Sequence, residues 1–381
     1  MGAIGVAAGA AALTVVVVAG ATAAGVVVAK KAIHPRPKRA VTVVDVDSVS
    51  ITVPSEEQTR CPGEYRVYFH DGQRSILVGD VLDDDGRDVR RKILGEPAIV
   101  PETGDKLVWS GYLLDTPAAV SASFEEVAIT ADGDTRKAWY FPVDGATTWA
   151  IHVHGIHSGR QAILRAVPDT LSAGMSSLVI GYRGDVEDGR GLPATFGTDE
   201  WHDLDAAMRH AADHGAERLV LVGWSMGATI ALHAAARSTL RTRIDAMILV
   251  CPALDWFAAL RAGAAKAGFP GFLGTLGALT LTIPGLARFA GLRKAIPRRW
   301  MRPTPPAGLP ILLVHSSGDR DVPLEVSRRF AAKPGVAATL VEIAPCPHGM
   351  ELNREPELFH SSIARFLSSA QALSEAAQVH E

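Results

Sequence analysis

Gly223-Trp224-Ser225-Met226-Gly227 ends an apolar run that begins at Arg218, and an Ala-rich stretch follows with no proline until Pro252. Leu and Val bounded by glycine read as a buried strand, and the good helix formers after them read as a helix. A serine on the turn between the two sits on strained backbone that lifts its hydroxyl clear of the sheet. Its neighbours must be small for strand and helix to approach closely. Gly223 and Gly227 meet that demand. The same turn aims the helix N-terminus and the Met226 N–H at charge developing beside Ser225, as acyl transfer requires. Met226 is therefore a candidate oxyanion donor.

A nucleophilic serine needs a base, and the base needs an acid to orient it. Leu309 to His315 reads as a buried strand, followed by a polar turn carrying Asp319 and Asp321. Ala338 to Ala344 alternates like a strand and delivers Cys346-Pro-His348-Gly at its end. His348 is expected to take the Ser225 proton, and Asp319 to fix the imidazole tautomer and stabilise its cation. Asp321, two residues on, and Asp255, after another expected strand end, are rival acids.

The order Ser, Asp, His is that of the α/β-hydrolase triad, and the chain resembles that superfamily from about Phe124 to Phe366, about two-thirds of its length. Members usually carry H-G-x-x-D-x-x-V-P after the penultimate strand. His315-Ser-Ser-Gly-Asp319-Arg-Asp-Val322-Pro323 is similar, with Ser316 in place of the first glycine. That alignment favours Asp319. A second oxyanion donor is implied at an H-G turn after the third strand, which resembles His154-Gly155-Ile156 and nominates the Ile156 N–H. Tyr182-Arg-Gly-Asp185, Glu200-Trp201-His-Asp203-Leu204 and Leu254-Asp255-Trp256 further resemble a poorly characterised group of bacterial esterase-like hydrolases. The resemblance implies no cofactor. The same turn places His152, His154 and His157 at the spacing of H-x-H-x-D-H, the metallo-β-lactamase signature, but position 156 is isoleucine and no later histidine has a comparable setting. A zinc site draws three or four ligands from more than one segment, so the metal reading is disfavoured. His152 on its strand reads as a hydrogen-bonded core histidine, and Glu200, Trp201 and Asp203 read as capping and packing residues.

The elements that must position these groups read as an α/β fold. The expected architecture is a mostly parallel α/β-hydrolase sheet with helices on both faces over 124–381, interrupted by a helical cap insertion at about 253–307. A hairpin through Ala131-Asp-Gly133 opens it. Active groups then belong at the carboxyl ends of the strands. Residues 40–123 read as a small β-rich region with no catalytic constellation.

No charged residue occurs from Gly2 to Ala29, and Lys30, Lys31, Arg36, Lys38 and Arg39 follow. About 20 apolar residues cross a bilayer, so 1–39 are expected to form an N-terminal transmembrane helix and a basic linker, with the rest in the cytoplasm by the positive-inside rule. A cleaved signal peptide is the alternative, weakened by the absence of early positive charge. The cap adds a second hint: Trp256 to Gly318 contain no Asp or Glu but eight Arg and Lys between Arg261 and Arg302, around apolar Phe269 to Leu286. Such a surface suits anionic lipid headgroups, and equally an ordinary acyl pocket with solvated arginines. A net charge of -3 argues against nucleic-acid binding, and three unpaired-looking cysteines against a disulfide framework.

The expectation is a membrane-anchored serine hydrolase acting on hydrophobic or lipid-like esters through Ser225, Asp319 and His348. Peptidase, thioesterase or acyltransferase chemistry on the same triad, or a silent membrane-tethered binding module, are the alternatives.

Overall fold

The computed structural model describes residues 20–35 and 39–378. Two sheets organise the chain. The first is antiparallel throughout and built from β1 (Ala40–Thr42), β2 (Asp45–Val46), β3 (Ser50–Pro54), β4 (Tyr65–Phe69), β5 (Arg74–Asp84), β6 (Asp88–Leu94) and β7 (Lys106–Ser110), in the order β1-β7-β4-β5-β6-β3-β2. Alternating burial in β4 puts Tyr65, Val67 and Phe69 on its inner face, the period-2 signature of a sheet wet on one side. The β-rich reading of this region is met.

The second sheet takes β8 (Glu125–Ala131), β9 (Asp134–Phe141), β10 (Thr148–Val153), β11 (Ser176–Ile180), β12 (Arg218–Trp224), β13 (Ile244–Val250), β14 (Ile311–Ser316) and β15 (Ala338–Ile343) in the order β8-β9-β11-β10-β12-β13-β14-β15. β10 to β15 run parallel; β9 alone opposes its neighbours on both sides. The β8–β9 hairpin turns at Asp132 and Gly133, both at positive φ (51° and 83°), as a two-residue type I′ turn demands. Side chains alternate between two cores: Leu219 and Leu221 face one, Val220 and Val222 the other, and β13 and β14 repeat the pattern. That two-sided burial explains why these strands read as unbroken apolar runs.

Helices α4 (Trp201–Asp213) and α5 (Met226–Arg237) lie on the first core; α3 (Val167–Ser172) and α11 (Pro356–Gln378), after a 3-10 segment at Arg160–Ala166, lie on the second. The second core is continuous with the buried face of the N-terminal sheet, through Tyr65, Trp109, Trp224 and Phe359. Between β13 and β14 the chain forms α6 (Trp256–Lys266), α7 (Gly271–Thr282), α8 (Pro284–Ala290) and a 3-10 turn at Arg298–Met301. α9 (Leu324–Ala331), α10 (Glu351–Arg354) and the short α2 (Pro117–Val120) complete the set.

The N-terminal expectation needs correction. Residues 1–19 of the expected transmembrane segment lie outside the described residues. Residues 20–33 form a helix, α1, which packs onto the cap and the first core, with Ala29 and Ile33 fully buried. Among the described residues no single helix is long and apolar enough to cross a membrane; α7 and α8 have the length and composition only together, and they bend by 108° at their junction. The physical reason is composition: Gly and Ala in α1 let it approach other helices closely, and those contacts satisfy its apolar face within the protein.

Candidate active site

Ser225 sits at φ 53°, ψ -112°, between β12 and α5, a conformation an L side chain adopts only under constraint. The flanking glycines allow it. A Cβ at Gly227 would lie 2.0 Å from the Val153 carbonyl oxygen, and one at Gly223 2.6 Å from the Ala228 nitrogen. The turn is also tied by two backbone bonds: Ser225 N–H donates to Val250 O and Ala253 N–H to Ser225 O.

His348 follows β15 and faces this serine, with Nε2 2.8 Å from Ser225 Oγ. Its Nδ1 lies 2.6 Å from Asp319 Oδ2, so Nδ1–H donates to the carboxylate and Nε2 is left to accept the serine proton. Asp319 is fully buried on a turn after β14, and its Oδ1 accepts from the N–H groups of Asp321 and Val322. Burial alone would raise its pKa, but the facing His348 and His315 hold the carboxyl well below the usual carboxylate range. Burial opposes the imidazolium of His348, yet its pKa is raised by the groups around it, Cys251 and Asp319. The Cys251 thiol is itself pushed up to about 11 by burial and carries no charge near pH 7, so the carboxylate of Asp319 is the effective cause.

Of the three candidate acids, Asp319 alone meets His348. Asp255 caps α6, accepting from Phe257 and Ala258 N–H, and pairs with Arg302 at 2.9 Å. Asp321 pairs with Lys266 at 2.6 Å. Ser316, the departure from the family pattern, has a structural role: its Oγ accepts from Cys346 N–H at 2.8 Å and donates to Cys346 O at 2.9 Å, lacing the acid turn to the histidine loop. Met226 is the first residue of α5, where a backbone N–H has no acceptor within its own helix. Gly155 lies against Ser225, a Cβ there falling 3.2 Å from the serine Cβ, and Ile156 lines the same cavity as Ser225. Both nominated donor residues thus lie near Ser225.

The histidines of β10 and the turn after it part company. His152 is buried against Thr170 and Ser177, its pKa lowered by burial to about 3. His154 meets Asp185 Oδ2 at 3.3 Å and stacks on Tyr182, while His157 lines the cavity. Among the described residues no group of three or more His, Cys, Asp or Glu could hold a metal ion. Glu200 accepts from Thr195 and Gly197 N–H, and Asp203 from Arg183, so both organise loops.

Sequence reasoning missed three things. His315, though inside the quoted motif, donates from Nε2 to Asp319 Oδ2 at 3.1 Å and accepts at Nδ1 from Ser327, a second histidine on the acid. Arg165 and Asn353 fasten the histidine loop: Arg165 donates to Gly349 O (2.7 Å), Gly111 O (2.9 Å) and Asn353 Oδ1 (3.0 Å), and Asn353 to Glu64 O (2.7 Å). Nothing local marks these two residues, because their partners lie up to 289 positions away. The third is α1, whose Ala24, Val27 and Val28 line, with Ser225, His348 and the cap residues Trp256 and Leu260, a cavity of about 510 Å³.

A family model described as alpha/beta hydrolase fold matches residues 202–279, and one described as a domain of unknown function (DUF8805) matches residues 42–110. Two crystal forms of the Pyrococcus furiosus esterase Pf2001 superpose with TM-scores of 0.51 and 0.50, at 22% and 20% identity. They cover 67% of this chain and 94% and 93% of their own. No curated protein sequence matches the chain. With the observed sheet order, these findings relate the chain to the α/β-hydrolase superfamily.

Proposed function

We propose that this protein is a serine hydrolase that cleaves carboxylic esters with hydrophobic acyl groups. The observation carrying the reading is the unbroken hydrogen-bonded series Ser225, His348, Asp319, whose first two members line a cavity of mainly apolar side chains. Ser225 Oγ attacks the ester carbonyl as His348 Nε2 takes its proton, and Asp319 stabilises the resulting imidazolium. The Met226 and Ile156 N–H groups hold the tetrahedral oxyanion. His348 then returns the proton to the leaving alcohol, leaving an acyl-Ser225. Water, deprotonated by His348, attacks that acyl group and frees the acid and the serine. The fold likeness to an esterase is consistent with this reaction, and the apolar cavity favours an acyl over a peptidyl group.

The test is covalent capture. A fluorophosphonate should label Ser225, with labelling abolished in Ser225→Ala and weakened in His348→Ala, and the labelled protein should hydrolyse p-nitrophenyl esters. A folded protein that neither labels nor hydrolyses would sink the reading and leave the silent binding module.

We also propose a membrane-associated location with the catalytic region facing the cytoplasm. Its support is the uncharged residues 2–19 ahead of α1, the basic cluster after α1, and the exposed Phe269, Phe272 and Phe289 on a cap rich in Arg. Release of the full chain from membranes by salt-free buffer alone would refute it.

A further inference from the structure

The segment whose sequence reads as a membrane anchor contributes a wall to the active-site cavity. Ala24, Val28 and Ala32 of α1 all line it, four residues apart, and so share one face of the helix over about 12 Å. Val27 joins them at the exposed mouth, being 53% exposed. α6 and the start of α7 line it too, through Trp256, Leu260 and Leu273. Ser225 and His348 share the same lining.

This wall is held in place from both ends. A Cβ at Gly25 would lie 2.7 Å from Thr280 Oγ1 and 3.2 Å from the Leu276 carbonyl oxygen; one at Gly277 would lie 2.6 Å from Val28 Cγ1. Two glycines facing across a helix pair let α1 and α7 approach more closely than any side chain would permit. At the other end Ala194 N–H donates to Ile33 O at 2.8 Å, and His34 Nε2 donates to Ala290 O at 3.2 Å. Apart from Lys31, which also lines the cavity, the residues α1 presents to it are small and apolar, and such a row over two helical turns matches an unbranched hydrocarbon better than a compact or polar acyl group.

We propose that α1 is the specificity element for the acyl group: a linear acyl chain lies along its Ala24, Val28, Ala32 face with the carbonyl at Ser225, and the small side chains there set the chain length accepted. The proposal rests on the ester-hydrolase reading above. Each methylene buried along the wall should raise kcat/KM by up to about fourfold until the cavity is filled.

The experiment uses the full chain, wild type and with Ala24→Trp, Val27→Trp or Ala23→Trp, Ala23 being exposed and outside the cavity lining. Fluorophosphonate labelling of Ser225 is measured for each, then kcat/KM for p-nitrophenyl esters from acetate to dodecanoate. The expected result is an octanoate-to-acetate ratio at least about tenfold lower in Ala24→Trp and Val27→Trp than in wild type, and unchanged in Ala23→Trp. Gly25→Leu, which forces α1 off α7, should flatten the whole series. If wild type labels and hydrolyses but the ratio is the same in all variants, or Ala23→Trp lowers it equally, the assignment of α1 is overturned while the hydrolase reading stands. A wild type that does not label at Ser225 overturns the reading beneath it.

Discussion

The two flanks of the Ser225–His348 pair are built from different forces. On the histidine side, Arg165, Asn353 and Ser316 bind the loop after β15 to the acid turn and to the residues flanking β4 and β7 of the N-terminal sheet through directional hydrogen bonds. Arg165 also lies 3.8 Å from the ring of Trp224, the residue before Ser225. On the cavity side, α1, α6 and α7 meet through glycine, alanine and valine, and the surface they present to Ser225 is largely apolar. Directional bonds fix a distance such as the 2.8 Å between Nε2 and Oγ; non-directional packing bounds a volume and tolerates differences in what fills it. Under the proposed reaction, one flank would aim a proton and the other admit a range of apolar chains. The N-terminal sheet is bonded to the first.

Several changes would break or sharpen that contrast, the largest at the acid. Asp319→Asn leaves the shape but removes the charge that raises the His348 pKa and fixes its tautomer, so kcat should fall about 10³- to 10⁴-fold. The wild-type profile has a defined sign. Because His348 acts as base only when neutral and its pKa is raised, kcat/KM should climb with pH through a value above the ordinary histidine value of about 6.5. In Asp319→Asn the residual activity should titrate lower. A rate profile flat from pH 6 to 9 would contradict the arrangement.

Next in size is the junction with the N-terminal sheet. Arg165 is buried, its pKa lowered by burial to about 10, and it remains a cation near neutral pH. Arg165→Met strands the Gly349 carbonyl and leaves Gly111 O only its bond from Asn353, and should cost about 2–4 kcal/mol in thermal or urea unfolding, with a fall in kcat larger than any change in KM. Asn353→Ala should follow at about 1–3 kcal/mol. Comparable losses from Val27→Ala, on the cavity flank, would erase the contrast.

The smallest effect is expected at Glu351, fully buried at the start of α10 with neither carboxyl oxygen hydrogen-bonded. Desolvation raises its pKa, so its contribution to stability is complete below the unfolded value of about 4.3 and is lost as pH rises through the raised folded value. Glu351→Gln keeps the shape without the proton. Its melting temperature relative to wild type should rise by a few degrees between pH 5 and 8, and a pH-independent difference would show that the carboxyl does not titrate there.

The site was legible in the sequence wherever the chemistry is local to a turn. Gly223 to Gly227 shows a strained serine turn because the glycines are needed within two residues of Ser225, and the acid turn carries Asp319 beside Val322-Pro323. The choice among Asp255, Asp319 and Asp321 was less local. It rested on a resemblance, and the structure bears on it through one fact, that β14 and β15 are neighbours and put the acid turn against the histidine loop. Arg165 and Asn353 gave no signal, since an arginine's partners are backbone carbonyls that any residue can offer.

The sequence by itself determined the strands, because alternation and unbroken apolar runs follow directly from one-sided or two-sided burial, and it determined the order Ser, Asp, His. Only the tertiary structure decided what the uncharged N-terminal segment does from residue 20 onward. Hydrophobicity records that a face must leave water, and it is silent on whether lipid or protein receives it. The glycines at 25 and 277, 252 residues apart in the chain, answer that question for α1 by letting it close against α7, and closeness between distant residues is a property of the fold.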